Sequence, residues 1–206
     1  MNKSAIVIVA VFALGTGFLV SWYWQANQPI QLEDGLWFGE QARTLPEFEL
    51  TDHRNKALTR EGFNGHWSLM FFGYTQCPDI CPITLQTMNQ MIQAIDDADV
   101  QRSLRVYFVS VDPDRDNPEL LATYVNYFNP EFIAATAPLE KLRPLTRALG
   151  IAHEIYKKSE DDRTYDVDHS GAIVLINPEA EYAGLFSAPH DALAMARDLT
   201  RIVEHN

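Results

Sequence analysis

Sulfur is scarce in this chain of 206 residues. It has two cysteines, Cys77 and Cys81, and both lie in one stretch, FFGYTQCPDICPITLQTMNQ, Phe71 to Gln90. With three residues between them, a disulfide would close so small a loop that it would remove little entropy from the unfolded chain. A structural staple is therefore disfavoured. A structural zinc site usually takes four protein ligands, and two thiols fall short of that. Positive charge is scarce too: 16 Lys and Arg against 28 Asp and Glu give a formal net charge of −12. This excludes the basic footprint of a nucleic-acid binder and favours solubility and repulsion from anionic surfaces. Internal repeats and low-complexity tracts are absent.

What is present begins with a long apolar run. Ala5 to Val20 is apolar apart from Gly15, Thr16 and Gly17, and SWYW follows. About 20 such residues span a bilayer core, and Trp22, Tyr23 and Trp24 suit its interface. A cleaved signal peptide is the competing reading, but SWYWQANQP offers no convincing small-x-small site, and no lipid-attachment cysteine is present there. Residues 1–24 are thus expected to form an uncleaved transmembrane helix. Lys3 precedes the span, and no basic residue follows it before Arg43. The positive-inside rule then puts the N-terminus in the cytoplasm. The expectation is a single-pass protein of a bacterial inner membrane with a periplasmic domain. Residues 25–44 are expected as tether and residues 45–206 as one domain, long enough to bury a real core.

Within that domain the pattern alternates. Leu69 to Phe72 reads as a buried strand ended by Gly73. A helix follows from Pro82, with Leu85, Met88, Ile92 and Ile95 on one face. Leu104 to Asp112 is the next strand. Asn117 can cap a helix that Pro118 starts. A shorter helix falls within Leu139 to Leu149, with Pro144 at its start or at a kink. His153 to Lys158 reads as a strand, Gly171 to Phe186 as a hairpin turning at Asn177-Pro178-Glu179, and Asp191 to Val203 as the last helix. The class is α/β with a mixed sheet. A cysteine pair between a buried strand and a helix N-terminus points to a thioredoxin-like arrangement.

The pair can be a redox couple, a metal clamp or a peroxidase site. Cys81 immediately precedes the expected helix, where unpaired N–H groups and the helix dipole favour a thiolate. A peroxidase also needs a cation near its thiol, and no Arg or Lys lies in the Cys77 segment. Two thiolates select soft ions, Cu(I) above all, and imidazole is a compatible third ligand. His53, His66, His153, His190 and His205 fit ordinary solvated or hydrogen-bonded roles. His169 differs. It stands in YDVDHSGAIVLINP just before an apolar strand, in the loop that a thioredoxin-like fold packs against its cysteines. Thiol-disulfide oxidoreductases of that fold carry a cis-proline there, whereas Arg163 to Ile176 contains no proline. Asp79 and Asp168 add charge beside these residues. The DPDRDNP block is no calcium loop: Asn117 and Thr123 stand where glycine and glutamate are needed. It reads as a loop and helix start. Met88 reads as core rather than metal ligand.

FFGYTQCPDICPITL, VSVDPDRDNPELL and DVDHSGAIVLINP together resemble the three signature blocks of the Sco/SenC family, membrane-tethered copper chaperones for the binuclear copper site of cytochrome c oxidase. The resemblance covers roughly Leu45 to Val203 and the N-terminal anchor. It implies a thioredoxin-like fold with an added β-hairpin, and one copper ion, Cu(I) or Cu(II), held by Cys77, Cys81 and His169. It implies as partner the copper-receiving subunit of cytochrome c oxidase, with another copper chaperone or a thiol reductant as further candidates. An open, shallow site would suit hand-over by ligand exchange. Thiol-disulfide exchange through Cys77 and Cys81, keeping the oxidase cysteines reduced, is the alternative function.

Overall fold

The computed structural model describes residues 3–26, 30–156 and 165–205; for residues 3–11, 25, 26 and 166 it describes backbone only. The chain divides into two units, one to Gln31 and one from Leu32 onward. The first is helix α1 (Lys3–Ala26), which covers the apolar run. Among the described residues no helix is long and apolar enough to cross a membrane.

The second unit begins earlier than the sequence suggests. Strands β1 (Gly35–Trp37) and β2 (Arg43–Thr44) arise in the stretch expected as tether, followed by β3 (Glu49–Asp52) and β4 (Ala57–Thr59). Both β1 and β2 pair with a later strand, and Leu32, Trp37 and Phe38 pack on the core. The cause is tertiary. The fully buried carboxylate of Asp198 accepts the backbone N–H groups of Glu33, Asp34 and Gly35 at 2.8–3.0 Å. Three donors satisfy a charge that would otherwise be costly to bury. The tether therefore ends before Glu33, not at residue 44.

The remainder follows the alternating pattern: β5 (Trp67–Gly73), α2 (Ile80–Ala94), α3 (Ala98–Ser103), β6 (Leu104–Ser110), α4 (Pro118–Phe128), β7 (Ile133–Thr136), α5 (Leu139–Ala148), β8 (His153–Tyr156), β9 (Asp166–His169), β10 (Ile173–Ile176), β11 (Glu181–Phe186) and α6 (Ala192–His205). The main sheet runs β1-β11-β10-β5-β6-β7-β3-β4, while β8 and β9 form a separate pair. Strands β5, β6 and β7 are parallel, β10 lies antiparallel beside β5, and β11 lies antiparallel beside β10. Every residue of β5 is buried, as a strand covered on both faces requires. Asn117 caps α4 through the Leu120 N–H, with Pro118 at the first helical position. Helix α5 starts at Leu139, with Pro144 inside it rather than at its start. The β10–β11 hairpin turns where expected; Ala180 takes the positive φ of 57° that a glycine would hold more easily. Of the expected strand His153 to Lys158, the last two residues lie outside the described residues.

Candidate metal centre

The site forms where β5 hands over to α2. Tyr74 opens a turn in which its carbonyl accepts the Cys77 N–H at 3.2 Å. Helix α2 then begins at Ile80, so Cys81 lies in its first turn, and Pro82 sits where a missing N–H costs nothing. Asp79, at the capping position, makes no side-chain cap. The sulfur of Cys77 takes that role instead, accepting the Cys81 N–H at 3.5 Å. Gly73 is required beside it: a Cβ there would lie 2.5 Å from Cys81 Sγ and 2.9 Å from Phe108.

His169 arrives from the end of β9. Its Nε2 lies 3.3 Å from Cys81 Sγ and 3.8 Å from Cys77 Sγ. Its Nδ1 lies 3.2 Å from the Ser170 carbonyl, which can only accept. Nδ1 therefore carries the proton and Nε2 presents its lone pair to the two sulfurs. Tyr74 and Phe71 meet the ring edge to face at 5.8 and 5.9 Å and fix its plane. The three donor atoms lie within 4.8 Å of one another, and among the described residues no other group of three or more His, Cys, Asp and Glu comes together in this way. Donors sharing one metal at bond lengths of about 2.0–2.3 Å stand roughly 3.5–4 Å apart, so the set fits a single ion. Two thiols and one imidazole select a soft cation, with Cu(I) first.

Two expectations need correction. The thiolate was expected at Cys81. Instead Cys81 is fully buried, and its thiol is pushed up, first by the hydrogen bond to Cys77 and then by burial. Cys77 is lowered to about 4, first by the hydrogen bond from Cys81 and, against the effect of burial, by backbone N–H groups. One proton shared between neighbouring sulfurs goes to the more buried one. The helix end does favour a thiolate, but it is the sulfur of Cys77 that lies against it. Nor is the site shallow: Cys77 retains 9 % exposure and Cys81 none.

The sequence reading also missed a layer behind the cysteines. Asp116, 1 % exposed, accepts from the Thr75 N–H and hydroxyl at 2.9 and 2.5 Å and from Ser110 at 2.6 Å. It ties the DPDRDNP loop to the residue two before Cys77. Asp112 accepts from Tyr165 at 2.5 Å and pairs with Arg115, whose guanidinium stacks on the Tyr165 ring and donates to Gln76 at 3.3 Å. So a cation does reach the Cys77 segment, although its charge is met by Asp112. The alternating aspartates of that block were the available signal. The remaining candidates stand apart from the cluster. His53 bonds the Ala134 backbone, His66 lies by the Tyr107 hydroxyl, His190 meets the Gly171 carbonyl and His205 meets Trp37 edge to face. Met88 and Met91 are buried core. Asp79 and Asp168 are exposed, and it is Ser170, not Asp168, that fixes the His169 ring.

The sequence model described as SCO1/SenC matches residues 39–204. A putative copper-binding protein of Stutzerimonas stutzeri is 34 % identical over 163 residues, covering 79 % of this chain and 78 % of that protein. The mitochondrial SCO2 homologue of Danio rerio is 33 % identical over 183 residues, covering 87 % of this chain but 63 % of its own length, so the chain spans under two thirds of that relative. Among solved structures, copper-bound ScoI of Arabidopsis thaliana superposes with a TM-score of 0.72 at 28 % identity, covering 79 % of this chain and 99 % of that one. The mixed α/β fold seen here is thus the thioredoxin-like fold of the Sco structures, and by the extent of these matches the chain belongs to the SCO1/SenC family.

Proposed function

We propose that this chain binds one copper ion through Cys77 Sγ, Cys81 Sγ and His169 Nε2 and delivers it during assembly of the binuclear copper site of cytochrome c oxidase. The observation that carries this reading is the convergence of two sulfurs and a lone-pair-bearing imidazole nitrogen within 4.8 Å. Copper-bound relatives with the same fold support it. Copper is cargo here. The three donors would hold it, the buried pocket would exclude water, and a partner would take it by ligand exchange at the partly accessible Cys77 side. Loading needs both thiols reduced, because a disulfide offers no thiolate.

The apolar run in α1 supports a single-pass anchor with the N-terminus cytoplasmic and residues from about Leu32 onward periplasmic. The copper-receiving oxidase subunit is then the partner, with another copper chaperone or a thiol reductant supplying metal or electrons. The asymmetry of the thiols, Cys77 low and Cys81 high, favours one second reading: thiol-disulfide exchange with Cys77 as the attacking sulfur.

Copper stoichiometry and X-ray absorption on reduced, oxidised and His169→Ala protein test the site. One copper in the reduced chain only, with nitrogen ligation lost in the variant, is expected. Nitrogen ligation that survives the substitution would remove His169 from the set. An unchanged rate of target-disulfide reduction in that variant would move the reading to thiol exchange.

A further inference from the structure

Beside the metal centre lies an open cleft of about 1000 Å³, with α5 as one wall, β8 and β9 as the other, and His169 at its margin. The α5 wall carries Arg143 and Arg147, one helical turn apart and both exposed. Neither forms an ion pair among the described residues. Both line the cleft of a chain whose net charge is −12. The opposite wall carries Glu154 and Asp168, opposite one another in register, with the Tyr156 hydroxyl donating to Glu154.

The second feature is an edge. Among the described residues, strand β8 pairs only with β9. The Ser170 N–H donates to the Ala152 carbonyl, and the register continues His153↔His169, Glu154↔Asp168, Ile155↔Val167. Hydrogen-bonded and non-bonded pairs alternate in an antiparallel ladder. The backbone N–H and C=O of His153 and Ile155 therefore turn away from β9, toward the open edge. An unpaired edge is a template for an added strand. An added strand would place alternate side chains on one face, and carboxylates at every second position would meet the arginine wall.

We infer that this cleft docks an extended segment of the copper-exchange partner, paired to the β8 edge, with acidic residues at alternate positions facing Arg143 and Arg147. The inference rests on the copper reading above and adds the surface and the chemistry of the partner. It sets the partner's chain one strand away from His169, in reach of the metal donors.

The test uses the full-length chain in detergent micelles and the octapeptide (Glu-Thr)₄ as probe, with (Lys-Thr)₄ and free glutamate alongside. Expected are NMR shifts confined to α5 and β8 and slowed amide exchange at His153 and Ile155. Expected too is at least tenfold weaker binding to Arg143→Glu/Arg147→Glu, with the milder glutamine pair intermediate. Shifts elsewhere, binding indifferent to both arginine pairs, or equal effects from free glutamate at the same carboxylate concentration overturn the proposal. So does the absence of binding. Copper stoichiometry of the unaltered chain is read in the same samples. Copper without peptide binding sinks the docking inference alone. Peptide binding without copper sinks the metal-centre reading and, with it, the partner's role in copper exchange.

Discussion

Replacing Gly73 by alanine probes the metal centre without touching a donor atom. The added Cβ would lie 2.5 Å from Cys81 Sγ, and ordinary contact begins at 3.4 Å, so the sulfur must retreat by about 0.9 Å or β5 must shift. Neither is free. Cys81 is fully buried in the first turn of α2, and β5 is buried along its length between β10 and β6. Overpacking of this kind costs about 1–3 kcal/mol. For a domain of this size that lowers Tm by roughly 2–12 °C. Copper binding should suffer beyond the loss of stability, because His169 Nε2 sits only 3.3 Å from the displaced sulfur. Disturbing groups that orient metal ligands typically costs about 10–100-fold in affinity, and that range is expected here. The assay is a competition titration of Cu(I) against a chelator of known affinity, well below the melting transition, with circular dichroism as a check on the fold. A folded Gly73→Ala protein that binds copper as tightly as its parent would refute the reasoning, since Cys81 could then not be held as a ligand where the structure has it.

Three further outcomes follow from the same structure. In the reduced, metal-free protein, iodoacetamide should modify Cys77 with a pH midpoint near 4 and leave Cys81 largely untouched; a midpoint in the ordinary thiol range would contradict the assigned thiolate. Burial raises the Asp116 carboxyl, so the folded protein takes up this proton before the unfolded chain does. Asp116 therefore makes stability rise as pH falls through its folded value, and urea melts of Asp116→Asn across the acid range should lack that component; parallel profiles would count against it. Asp198→Ala leaves three N–H groups of residues 33–35 without their acceptor, with an expected loss of about 1–3 kcal/mol and faster proteolysis near Gly35; an unchanged cleavage pattern would dismiss the clamp.

Much of the fold could be read because its signals are local. The β5 run, the Asn117-Pro118 helix start and the hairpin each carry their own pattern within a few residues. The strands that escaped are short or unpatterned: β1 is GLW, β7 is IAAT, and their partners lie far along the chain. The same division holds at the site. Cys77 and Cys81 share one turn, and His169 stood out by its place before an apolar strand. Thr75 and Asp116 are 41 residues apart, and Tyr165 and Asp112 are 53. No sequence period links such pairs; only the packed sheet does. The exchange of roles between the two thiols was hidden for a related reason. It depends on which sulfur is buried and which one caps α2, and the motif spacing is identical in both cases.

The clamp at Asp198 has a mechanical consequence. A pull on the chain from its N-terminal side is first resisted where residues 33–35 are stitched to α6, together with the three-residue ladder of β1 on β11. That load path runs along the rim of the sheet. Strand β5, which leads into the cysteine turn, lies two strands further in, behind β10. Tension from the N-terminal segment is thus grounded in α6 and the sheet edge, and the turn bearing Cys77 and Cys81 is spared the strain.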